Sequence, residues 1–173
     1  MDEDPRISAL VKECGRQAES CAYTGSNLYT WQKQASLWRA AFLVAPIIAA
    51  GFSTSQLFTE SLGPNGKILA AFTGLLAGFF PAIFIALNMD MRVVEIARSA
   101  AEFTNLRDRF RQAANISRYA PFDEFNAEFE ALMDRMDAIR SSAPPAPDWC
   151  FKATQKKMNK GDYMFAVDEQ GPS

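Results

Sequence analysis

Histidine is absent from this chain. That removes the usual general base near neutral pH, the commonest metal ligand and the simplest pH switch. Cysteine is scarce, with only Cys14, Cys21 and Cys150. On one helix Cys14 and Cys21 would stand about 10 Å apart along the axis, at about 1.5 Å of rise per residue. A disulfide needs α-carbons within about 7 Å, so that pair does not bridge inside a helix. No Cys-x-x-Cys pair suggests zinc or a redox motif, and free thiols in a reducing, cytosolic setting are the simplest reading.

A basic patch is also missing. Lys and Arg total 18 against 20 Asp and Glu, for a net charge of −2, so nothing marks a nucleic-acid partner. Phosphate-binding glycine loops, nucleophile elbows and HExxH motifs do not occur. The acidic pairs Asp123/Glu124 and Glu128/Glu130 fall on the polar face of a predicted helix, where nothing would raise a carboxyl pKa. They read as solvated charge. No enzyme, cofactor or metal site is expected. The start, "MDEDPR", is acidic where a signal peptide would be basic.

Charge itself is missing from two long stretches. The first, "AAFLVAPIIAAGFSTSQLFT", runs from Ala40 to Thr59 between Arg39 and Glu60; the second runs from Ile68 to Met89 between Lys67 and Asp90. Twenty helical residues cover about 30 Å, the thickness of a bilayer's hydrocarbon core. The second run is apolar around its whole circumference, unlike a surface helix of a soluble domain. The first is weaker, since Ser53, Thr54, Ser55 and Gln56 follow its apolar part. Only "ESLGPNGK" separates them, and its Gly-Pro-Asn-Gly is a turn signal. If the second run spans a membrane, the first is its natural return partner. The expected fold is therefore an all-α membrane protein with a two-helix transmembrane hairpin. A soluble protein with a buried hairpin is the rival.

Lys33 and Arg39 precede the hairpin, Arg92, Arg98, Arg107 and Arg109 follow it, and the loop carries only Lys67. Positive residues favour the cytoplasm, which puts both termini inside and makes the protein multi-pass in the cell membrane. Trp38 and Arg39 stand where an interfacial anchor belongs. Small residues recur every fourth position, with Ala41, Ala45 and Ala49 in the first run and Ala70, Gly74, Gly78 and Ala82 in the second. Transmembrane helices approach closely along such strips. These strips either seal the two helices of one chain or leave a face for neighbouring copies. Pro46 and Pro81 are expected to kink the helices, not break them. Ser53, Gln56, Thr73 and Asn88 are candidate lining of a narrow wet path in an oligomer. For Ser53 and Thr73 the alternative is a hydroxyl bonded back to its own helix.

Outside the runs, three stripes keep helical spacing. They are Ile7, Val11, Cys14, Ala18, Cys21, Gly25, Leu28; then Val93, Ile96, Ala100, Phe103, Leu106, Phe110, Ala113; then Phe122, Phe125, Phe129, Leu132, Met136, Ile139. Their period points to core packing, and together they suggest a small cytosolic helical bundle. The expected organisation is an N-terminal cytosolic helix over 1–39, transmembrane helix 1 over 40–59 and an outer loop over 60–67. Transmembrane helix 2 follows over 68–89 and cytosolic helices over 90–140. A proline-rich linker, short helix and disordered tail complete it over 141–173.

The segment ending "LWRAAFL" at Leu43, the tight hairpin, and "RVVEIARSAAEFTNLRDRFRQAAN" from Arg92 to Asn115 resemble the SLATT domains. These are the SMODS and SLOG-associating two-transmembrane effectors of bacterial conflict systems. "PPAPDWCFKA" from Pro144 to Ala153 is similar to the segment that closes many of them. The resemblance covers roughly Ile7 to Lys160 and rests on architecture and helical texture. It implies a non-catalytic effector that forms a pore in, or perturbs, the inner membrane when a sensor or nucleotide-signalling partner fires. The expected partners are the lipid bilayer, further copies of the chain and such a sensor. The alternative is a non-conducting membrane anchor whose cytosolic helices recruit a partner protein.

Overall fold

The computed structural model describes residues 4–54 and 63–158. Among the described residues every regular element is helical. These residues form five α-helices in order: α1 (Pro5–Thr54), α2 (Gly63–Ala86), α3 (Met89–Asn115), α4 (Phe122–Ser142) and α5 (Asp148–Met158), with a 3-10 turn at Ser117–Tyr119 between α3 and α4. The chain divides into two compact units. One holds Met1–Gln32 and Glu95–Ser173, the other Lys33–Val94.

Helix starts and stops follow local chemistry. The Asp4 carboxylate accepts the Arg6 backbone N–H at 2.9 Å, capping α1, and Pro5 takes the first helical position, where no N–H is needed. The N-terminal helix and the first apolar run, expected as separate segments, form one helix that passes through Pro46. α2 passes likewise through Pro81. The Gly-Pro-Asn-Gly signal becomes the first turn of α2 and not a loop. Gly63 has φ +59° there, and Pro64 follows as a good first-turn residue. Asn88, at φ 50°, breaks the chain between α2 and α3; Asn is among the few residues that enter the left-handed region cheaply. Pro144, Pro145 and Pro147 end α4, because the residue before a proline is driven out of the helical region.

In the first unit the three stripes point inward. Cys14, Ala18, Cys21 and Leu28 of α1 are buried, as are Ile96, Ala100, Phe103, Leu106, Phe110 and Ala113 of α3, and Phe125 and Met136 of α4. Burying each such large side chain contributes about 1.5–3 kcal/mol. α1 and α4 run in the same direction: the Arg6 guanidinium stands 4.5 Å over the Phe122 ring, and Arg140 Nη2 donates to Ser20 Oγ at 3.3 Å. Between them the Cys21 thiol meets Met136 Sδ at 3.7 Å. α3 runs against α4, with an Arg135–Glu102 ion pair at 2.6 Å and an edge-on Phe110–Phe129 ring contact at 6.0 Å. α1 lies close to α3 at Gly25. A Cβ placed there would stand 3.4 Å from Thr104 Oγ1 and 3.5 Å from the Ala100 carbonyl oxygen.

Burial pushes the Cys14 and Cys21 thiols up to about 11 from an ordinary 9.0, with the Glu128 and Glu13 carboxylates adding to the effect at Cys14. Between about pH 9 and 11 the unfolded thiols ionise while the folded ones keep their protons. The unfolded state then binds fewer protons, so stability falls as pH rises through that window. Urea unfolding at pH 8 and pH 10.5 should show a larger drop in midpoint for the wild type than for Cys21→Ala. Burial also raises the Cys150 thiol, and all three thiols should resist alkylation in the native state.

Candidate functional site in the apolar helices

The second unit contains the distal part of α1, from Lys33, and all of α2. Both helices are long and apolar enough to cross a membrane. Their apolar faces are not packed away: only 6% of the most apolar window of either helix is buried. Ile47 is 72% exposed, Ile68 70% and Ile85 75%. A core helix of a water-soluble protein buries such residues, and soluble monomers rarely expose continuous apolar surface of this kind.

The two helices touch through a few residues. Phe42 and Phe80 pack with ring centroids 5.5 Å apart, and Trp38 stacks at a tilt on Phe42 at 6.5 Å. Pro46 is buried, and Ala45, Ala49, Ala70, Thr73, Ala77 and Phe84 are half-buried. An open apolar groove runs between Phe42, Pro46 and Ala50 on α1 and Ala77, Pro81 and Phe84 on α2. Arg39, which ends the charged part of α1, pairs with Asp90 just after the second run. The charge before the first run and the charge after the second therefore sit at one level. In the sequence Arg39 reads as an interfacial anchor and Asp90 as the charge that bounds the second run, with nothing joining them. Their opposite signs at the two outer ends of the charge-free runs were the available signal.

Of the predicted lining residues, Thr73 and Asn88 have described side chains. The Thr73 hydroxyl donates to the Leu69 carbonyl at 3.0 Å and reaches that of Ala70 at 3.1 Å, so it is satisfied within its own helix. Asn88 is exposed in the break between α2 and α3. Ser53 lies in the last turn of α1, and Gln56 lies outside the described residues. The small-residue strips divide. Ala45 and Ala49 are half-buried while Ala41 is exposed; Gly74, Gly78 and Ala82 are all exposed, and a Cβ at Gly78 would meet nothing within 4 Å. Among the described residues no three His, Cys, Asp or Glu side chains gather to hold a metal ion. No protein-family model, curated protein or solved structure matches the chain.

Proposed function

We propose that this protein is a bacterial membrane effector. α1 from about Arg39 onward and α2 cross the inner membrane as a hairpin. The proximal part of α1 packs with α3 and α4 as a helical bundle on the cytoplasmic side, with both termini there. Copies associate through the outward strip of Gly74, Gly78 and Ala82 and open a leak when a sensor or signalling partner engages the cytoplasmic bundle. The reading carries no catalytic step.

The observation behind it is the exposure of the two apolar helices, since lipid solvates surface that water would not. The Arg39–Asp90 pair supports a common level for both ends of the hairpin, and the flanking arginines favour the cytoplasm for that level. The outward Gly78 supports assembly, because close helix approach needs a face without side-chain bulk. The effector class comes from the resemblance to SLATT domains. A second reading, a non-conducting anchor, is favoured by two details: the groove between the helices is lined by apolar residues, and the Thr73 hydroxyl is spent on its own helix.

The test is membrane potential, read by dye in bacteria induced to express the chain. The wild type should collapse it once expression is high enough for copies to associate without the partner. Gly78→Leu should spare it, since a Cβ at this exposed position has nothing within 4 Å beyond its own helix backbone and the added bulk would block a neighbour's approach. Gln56→Leu should also spare it. An intact potential with wild-type protein in the membrane and its signalling partner co-expressed would favour the anchor.

A further inference from the structure

α5 carries its small side chains inward and its large ones outward. Cys150 and Thr154, one turn apart, are 0% and 1% exposed, whereas Trp149 and Phe151 are 46% and 54% exposed. Trp149, Lys152 and Lys156 share one outward stripe by their i, i+3, i+7 spacing, and both lysines are exposed. Lys157 and Lys160 follow in the sequence. Residues 148–160 thus hold four lysines against Asp148 alone, in a chain whose total charge is −2. The stripe can lie in a membrane interface, with the Trp149 ring at the headgroup level and the lysines reaching to phosphates.

The position of α5 within its own unit fits the same partner. α4 runs beside α1 from the Arg6–Phe122 contact to the Ser20–Arg140 contact. Its C-terminal end therefore points the way α1 points as it leaves the unit at Gln32, and toward the side where α3 enters at Glu95. Residues 143–147, three of them proline, span at most about 15 Å if extended. α5 therefore starts within about 15 Å of the C-terminal end of α4, the end that points the way both covalent links to the apolar helices depart.

We propose that α5 docks on the anionic lipid surface of the membrane that α1 and α2 cross. Trp149 seats among the headgroups, Lys152 and Lys156 on the same stripe contact lipid phosphates, and Cys150 and Thr154 hold the helix to its own unit. This rests on the membrane-spanning reading above. Asp148 opposes the docking with one negative charge, which the lysines outnumber.

The test uses the full chain with Trp31→Phe and Trp38→Phe, leaving Trp149 as the single tryptophan. It is reconstituted into vesicles of phosphatidylcholine alone, or with about 30% phosphatidylglycerol, enough to set a negative surface potential. In anionic vesicles Trp149 emission should shift to the blue, brominated acyl chains should quench it, and acrylamide quenching should fall about fivefold relative to neutral vesicles. Lys152→Glu with Lys156→Glu, both on the exposed face, should restore the neutral-vesicle values. Trp149 equally open to acrylamide in both vesicles would overturn the inference and leave an acidic protein surface as occupant. Trp149 equally shielded in both, and in detergent, would overturn it in favour of another segment of this chain. Resistance to alkaline carbonate separates the two claims. A retained chain with a wet Trp149 sinks this inference alone; a released chain sinks the spanning reading and this inference with it.

Discussion

Phe110→Ala is expected to lower the stability of the α1–α3–α4 unit by about 3–5 kcal/mol, the range for emptying a buried aromatic site. Phe110 is 0% exposed and meets Phe129 edge-on at 6.0 Å. Truncation therefore loses the transfer energy of the ring and its aromatic contact, and leaves a cavity between two helices. For a unit of this size each kcal/mol shifts Tm by about 4–8 °C, so the drop should exceed about 12 °C. Phe79→Ala supplies the contrast. Phe79 is 56% exposed on α2, where the proposed solvent is lipid. A ring leaving an apolar solvent gains little from burial, so the same truncation in detergent should cost under about 1 kcal/mol. Thermal unfolding of both variants in one detergent measures the difference. Equal losses would mean that α2 is a water-excluded core helix.

Gly25 is expected to show opposite signs for a small and a large substitution. A Cβ there would meet Thr104 Oγ1 at 3.4 Å and the Ala100 carbonyl oxygen at 3.5 Å, both ordinary contacts. Gly25→Ala should therefore be tolerated, and it should gain about 0.5–1 kcal/mol from the smaller backbone entropy loss of alanine in a helix. Gly25→Leu sends three more carbons toward a carbonyl and a hydroxyl that already donates to Ala100 O at 2.9 Å. The overpacking costs about 1–3 kcal/mol and forces α1 from α3. Urea midpoints for the pair should bracket the wild type. If both variants destabilise by the same amount, the close approach of α1 and α3 at this position is wrong.

The sequence made the helices and their buried stripes legible because both follow one period. Every residue from Ile96 to Ala113 that the stripe named is buried, since a long amphipathic helix has one way to face a core. Gly63-Pro64-Asn65-Gly66 misled because the same residues that build a turn also start a helix; only the backbone at Gly63 decides. The rotation of α2 was not legible. Its apolar residues surround the helix, so no stripe says which side meets α1, and the Phe42–Phe80 contact sets it. The outward aromatic residues of α5 were hidden for a related reason: its inward face is made of Cys150 and Thr154, which carry little hydrophobic signal. Function was least legible, because helical period and apolar run length report what a face packs against and name no ligand or partner.

The most direct measurement is labelling of spheroplasts by a membrane-impermeant maleimide, on chains carrying Asn65→Cys or Gln112→Cys. Both positions are exposed, and the three native thiols are buried, which keeps the background low. The account predicts that Asn65→Cys reacts in intact spheroplasts and that Gln112→Cys reacts only after permeabilisation. A chain recovered in the soluble fraction without detergent, or one labelled at both positions only after permeabilisation, would contradict it.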